Sequence, residues 1–192
     1  KEYPEKPVIS VVADICASGC YYISSAADKI LANQTSIVGS IGVKMDSFAV
    51  TDLMEKLGVE RRSIYAGEYK HMIDPFLVTD PSVTLHLQDH LINPTHKIFI
   101  KAVKNGRGDR LVDSPDLFSG LVWTGESALE LGLIDGYGDI YQLARDKTED
   151  AVVHNYSKTA PNFMKMLTSA STEVANTLVD SMLVRLQSPT VN

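Results

Sequence analysis

Cysteine is scarce in this chain: two residues in 192, which excludes a fold held together by a disulfide framework. Long hydrophobic runs are missing. Nothing approaches the roughly 18 consecutive apolar residues of a membrane-crossing helix, and the start lacks the charged-then-apolar pattern of a signal peptide. Positive charge falls short of negative, 18 Lys and Arg against 24 Asp and Glu, for a net charge of −6. A nucleic-acid backbone binder needs a basic face, so no nucleic-acid partner is expected. Repeats and low-complexity tracts are also missing. The chain opens at Lys1 rather than Met. It reads as a fragment or a processed product, with any membrane anchor outside these residues. What remains is ordinary globular composition, 44% hydrophobic and 22% charged, enough for one core.

The apolar pattern organises the chain. Val8–Ala13 is β-branched without polar alternation, as in a parallel strand covered on both faces. A turn through Asp14–Gly19 leads into a helical stretch, Cys20–Ala27, then a strand at Lys29–Ala32. Thr35–Val43 combines strand and tight turn, being broken by Gly39 and Gly42. Asp46–Leu57 is expected as an amphipathic helix stopped by Gly58, and Glu60–Ala66 as a strand. Pro81–Asn105 has helical spacing that Pro94 should kink or split. Ser127–Leu131 and Asp139–Lys147 read as further helices, and Val152–Tyr156 as a last strand. Strands alternating with helices make this an α/β fold with a largely parallel sheet. From Pro161 onward an amphipathic helical pattern of different character forms a C-terminal appendage. The division expected is residues 1–156 and 157–192.

Two residues stand out as chemistry. Ser18 lies where a buried strand gives way to a helix, beside backbone N–H groups and the positive end of the helix dipole. Gly19 allows a carbonyl to approach its amide, an oxyanion donor. The competing reading is that Ser18 simply caps the helix. A serine nucleophile needs a base, and none of the five histidines has an evident carboxylate orienter. His86 and His90 have the i, i+4 spacing of a metal pair. However, Leu87 stands where a zinc-protease helix has Glu, and no third ligand offers itself, so neither a metal nor a cofactor is expected. Lys70, flanked by aromatic and apolar residues in Gly67–Phe76, could lose hydration and act as a neutral amine; the ordinary reading is a surface lysine. Cys16 and Cys20 flank Ser18. They read as buried free thiols in preference to nucleophiles, since neither has a His partner.

Several motifs in order carry a resemblance: Pro7–Tyr22, then Ala26-Ala27-Asp28-Lys29-Ile30, then Gly39-Ser40-Ile41-Gly42-Val43, then Gly67–Phe76, then Thr124-Gly125 through Gly132-Leu133-Ile134-Asp135. Over residues 6 to about 148 the chain resembles the catalytic domain of signal peptide peptidase A/SohB-type serine–lysine peptidases, of the ClpP/crotonase fold superfamily. The resemblance implies Ser18 as nucleophile, Lys70 as general base and Ser40 as the hydroxyl that orients the lysine amine. A neutral partner suits that task, because a carboxylate would hold the amine protonated. Ile15, Tyr21, Ile41 and Val43 then become candidate pocket walls, with core packing as their alternative. The resemblance also implies extended peptide substrates such as remnant signal peptides or membrane-protein fragments, assembly into homo-oligomeric rings, and a membrane-associated place in the bacterial cell envelope.

The sequence departs from the family pattern in three places. An upstream Gly-Gly loop that supplies a second oxyanion donor has no counterpart before Val8. Cys20 replaces the second glycine of the usual Ser-Gly-Gly elbow. Pro94 interrupts a helix that the family keeps continuous. These departures motivate a rival reading, a non-catalytic peptide-binding or scaffold relative. An acyl-CoA enzyme on the same superfamily fold ranks last, since it leaves Ser18 and Lys70 without a role.

Overall fold

A computed structural model describes residues 5–147 and 154–156. Contacts divide the chain into Lys1–Ala151 and Val152–Asn192, and all the described helices and strands belong to the first unit. The helix expected from Pro161 lies outside the described residues. Of the strand expected at Val152–Tyr156, only 154–156 are described, and they are irregular.

The apolar run at the start forms β1 (Ile9–Val12). The chain then turns at Ala13–Asp14 into β2 (Ile15–Ala17), and α1 (Gly19–Ser24) follows after one residue. β3 (Lys29–Ala32) lies parallel to β1, with Ile9 opposite Lys29 and Val12 opposite Ala32. β4 (Ile37–Gly39) lies parallel to β2, with Cys16 opposite Val38. Each pair of strands therefore jumps from one sheet to another at the same level. The jump is fastened by Ser36, a buried hydroxyl that donates to the carbonyls of Val12 and Ala13 and accepts from the Asn33 amide. Parallel pairing with hydrophobic residues buried on β3 and β4 is what helix-covered sheets require.

α2 (Thr51–Leu57) is shorter than expected and ends on Gly58 in the left-handed region, φ 66°. The strand expected at Glu60–Ala66 is irregular chain. It finds no partner strand among the described residues, and a strand without a ladder leaves its backbone to water. α3 (Pro81–Leu87), capped by the Asp80 carboxylate, passes through a π-helical turn at Gln88–Ile92 into α4 (Asn93–Arg107). The wider turn sits directly before Pro94, which cannot donate a backbone hydrogen bond. β5 (Val122–Thr124) pairs antiparallel with β4, α5 (Gly125–Glu130) follows, and β6 (Gly136–Tyr137) adds to β3. α6 (Ile140–Lys147) is the last described helix. The architecture is α/β with parallel strand pairs flanked by helices.

The core gathers Val12, Tyr21, Ile30, Val38, Ile41, Phe99, Val103, Leu117, Leu133 and Ile134. One charged residue sits inside it. Arg107, 1% exposed, grips Asp135 with two parallel hydrogen bonds of 2.8 and 2.9 Å and donates through Nε to the Gly132 carbonyl. Asp135 also accepts from Arg110 and from the Ile30 amide on β3. This knot joins α4, the β3 strand and the chain after α5.

Candidate active site

The elbow between β2 and α1 is set by its neighbours. The Ser18 amide donates to the Gly39 carbonyl at 2.8 Å, and the Ser18 carbonyl accepts from the Tyr22 amide. Between these anchors Ser18 adopts φ 54°, ψ −120°, a conformation L-residues avoid. Its side chain makes no capping bond, so the hydroxyl does not do the work of an N-cap. Ser40 is held the same way, with φ 53° and its amide on the Leu121 carbonyl at 2.7 Å. Among the described residues, Ser18 and Ser40 are the non-glycine residues with positive φ. Such strain, of about 1–3 kcal/mol each, persists where surroundings enforce it and clusters at functional sites. Gly39, at φ 106°, lets the end of β4 turn into Ser40, and a Cβ there would also press into Trp123 and the Leu121 carbonyl.

Both strained serines line one cavity of about 660 Å³. Gly19, Gly42, Val43 and Gly120 border it, and Tyr22, Ile98 and Phe99 give it an apolar wall. Tyr22 and Phe99 meet edge to face at 5.3 Å. The glycines leave backbone open to a substrate chain, and the aromatic wall suits an apolar side chain. Behind the cavity, His96 on α4 contacts the Ile41 carbonyl through Nε2 at 3.0 Å. It thus steadies the turn that carries Ser40. The signal for this role in the sequence is its position three residues before Phe99, on the same face of α4.

Of the other expected wall residues, Val43 borders the cavity. Tyr21 and Ile41 are fully buried in the core, and Ile15 is exposed on β2. Helical geometry explains the first: α1 turns Tyr22 toward the cavity, so Tyr21 points inward, where its hydroxyl donates to the Leu133 carbonyl. Burial pushes the Tyr21 phenol well above its ordinary pKa.

Lys70 is exposed, in the turn structure of residues 67–73, and is not among the residues bordering the cavity. The lysine that does border it is Lys44. Lys44 is paired with Asp46 at 2.6 Å. The hydrogen bond that Lys44 donates to that carboxylate, reinforced by the carboxylate's charge, raises the amine pKa further. Lys44 is therefore protonated at neutral pH and cannot accept a proton.

The cysteines differ from expectation. Cys16 and Cys20 form a disulfide, with Cα atoms 5.0 Å apart. The elbow folds the strand residue and the helix residue back onto each other, which brings the sulfurs into bonding range. A cystine sulfur is not a thiolate, so the rival cysteine nucleophile is removed.

The sequence profile of peptidase family S49 matches residues 2–154. A Na+/H+ antiporter of Brucella melitensis is 45% identical over 148 residues, covering 77% of this chain and 20% of its own length. A chloroplastic serine protease, SPPA, of Arabidopsis thaliana is 30% identical over 135 residues, covering 70% of this chain and 20% of its own. The chain thus spans about a fifth of the length of these two relatives. A membrane-bound stomatin-specific protease, solved as a mutant with a substrate peptide, covers 87% of this chain and 70% of its own at a TM-score of 0.40 and 18% identity.

Proposed function

Because the chain belongs to peptidase family S49, we propose that it is a serine endopeptidase in which Ser18 attacks a peptide carbonyl. The observation that carries this reading is the pairing of two strained serines, Ser18 and Ser40, on one cavity with an apolar wall. Lys70, as the neutral amine, takes the Ser18 proton; the alkoxide forms an acyl-enzyme, and water releases it with Lys70 again as base. Ser40 orients the amine. The Gly19 amide, in the first turn of α1, has no acceptor within the helix and donates to the developing oxyanion. Lys70 reaches Ser18 by movement of the exposed segment that bears it or from a neighbouring copy in a ring. The wall of Tyr22, Ile98 and Phe99 favours extended peptides with apolar side chains, such as remnant signal peptides or membrane-protein fragments, at the cell envelope.

Ser18→Ala and Lys70→Ala, made separately in the full chain, should each lower peptide hydrolysis by roughly a thousandfold or more. Lys44→Ala should cost far less. Retained hydrolysis in both of the first two variants ends the dyad. The exposure of Lys70 favours a second reading, a peptide-binding relative without turnover. Stoichiometric labelling of Ser18 by a serine-directed acylating probe rejects it, and absence of labelling supports it.

A further inference from the structure

The nucleophile position is enclosed in a five-residue covalent ring, Cys16-Ala17-Ser18-Gly19-Cys20. Resting on the serine-peptidase reading, we propose that this cystine is a reducible clasp that holds Ser18 in its reactive conformation and that a dithiol reductant opens. Three observations carry it. First, the ring closes over the one part of the elbow that packing leaves open: Cys16 and Ala17 are held by the ladder to β4, whereas Ser18, Gly19 and Cys20 are exposed. Ser18 has two backbone hydrogen bonds and no side-chain cap, and a Cβ built on Gly19 would meet nothing within 4 Å. A strained residue needs surroundings that enforce it, and here a covalent link adds to the two backbone anchors of Ser18.

Second, the two sulfurs are unequal. Cys20 is exposed, whereas Cys16 is 2% exposed. An attacking thiolate thus has access to the Cys20 sulfur, and Cys16 is the leaving group. Third, a buried relay of hydroxyls ends on that leaving sulfur. Ser10 donates to Ser24 at 2.9 Å, and the Ser24 hydroxyl lies 3.2 Å from the Cys16 sulfur. A cystine sulfur has no proton, so Ser24 is the donor. A hydrogen bond aimed at a leaving sulfur stabilises it as a thiolate and speeds exchange.

The chemistry balances. One reductant thiolate forms a bond to the Cys20 sulfur as the Cys16–Cys20 bond breaks. Cys16 leaves with the electron pair and takes a proton from water. The second reductant thiol then attacks the reductant's own sulfur in the mixed disulfide, releases Cys20, and leaves the reductant as an internal disulfide. Two electrons and two protons pass to the protein.

The test uses the full chain isolated without reductant, with dithiothreitol as the reductant. The chain has no other cysteine, so the readout is specific. Peptide mapping should find the Cys16–Cys20 link. Reduction should speed amide hydrogen exchange at Gly19–Tyr22 and lower the rate of Ser18 acylation by a fluorophosphonate roughly tenfold, with recovery on reoxidation. Cys20→Ser, a change at an exposed position, should reproduce the reduced state without reductant. Ser24→Ala should slow reduction roughly fivefold. Two free thiols at isolation, unchanged exchange, or labelling of the oxidised protein that is equalled or exceeded after reduction overturns the clasp. If exchange quickens on reduction but the probe labels neither state, the clasp stands as a conformational device and the hydrolase reading fails.

Discussion

The two halves of the proposed dyad sit on stretches built in opposite ways. Ser18 and Ser40 belong to the strands and turns of residues 8–43, which α4 and the chain around β5 and β6 cover with buried side chains and the Arg107–Asp135 knot. Lys70 belongs to residues 44–80. There α2 has no buried residue, and Phe48, Leu53, Leu57, Ile64 and Val78 all lie exposed. The first stretch can pay for backbone strain because packing and hydrogen bonds fix its neighbours; the second carries apolar groups that its own unit does not cover. In the proposed dyad, the serine's backbone is already set and the lysine's stretch is not.

Substitutions should expose that contrast. The largest effect is expected for Asp135→Ala, which leaves the buried Arg107 charge without its partner and should cost about 3–5 kcal/mol by urea denaturation. Ser36→Ala removes the hydroxyl that fastens both sheet-to-sheet jumps and leaves buried groups unsatisfied, a loss of about 1–3 kcal/mol. Acid should act on the same side of the contrast. Burial, the largest influence on Asp135, raises its pKa, but the hydrogen bonds from Arg107, the Ile30 amide and Arg110, with the Arg107 charge, together outweigh it and hold the pKa at about 2 against an ordinary 3.8. A depressed carboxylate stabilises the fold fully above the unfolded pKa and progressively less as pH falls toward the folded one. Its share, about 2 kcal/mol, should therefore be complete above roughly pH 5 and fade between pH 4 and 2. Asp135→Asn should flatten that limb of a stability–pH curve. The smallest effect is expected in the other stretch: Phe48→Ser should change the unfolding free energy of the isolated chain by no more than about 0.5 kcal/mol. A large loss there would mean that residues 44–80 pack more firmly than their exposure indicates.

Much of the first stretch was legible in the residues. The β-branched run marks β1, Lys29–Ala32 is β3 as expected, and the Gly39-Ser40-Ile41-Gly42 turn follows from its glycines. Strands of two or three residues, β2, β5 and β6, were not legible, because so short a ladder is defined by its partner rather than by any period of its own. The converse error is Glu60–Ala66, where a strand-like pattern has no strand to pair with. Arg107 was also missed as a core residue. It continues the stripe Phe99–Val103 at helical spacing, but nothing in the linear order connects it to Asp135, 28 residues on.

Residue order alone specified the α/β class, the strand-to-helix elbow with its serine, and the glycines that let the chain turn sharply, since those depend on local periodicity and backbone freedom. Folding in three dimensions decided which wall residues face the cavity, that the two cysteines join, and that Lys44 rather than Lys70 borders the serines. The cavity wall depends on distances between segments remote in the chain, and the cystine on the backbone conformation of the elbow, neither of which a hydrophobic period encodes.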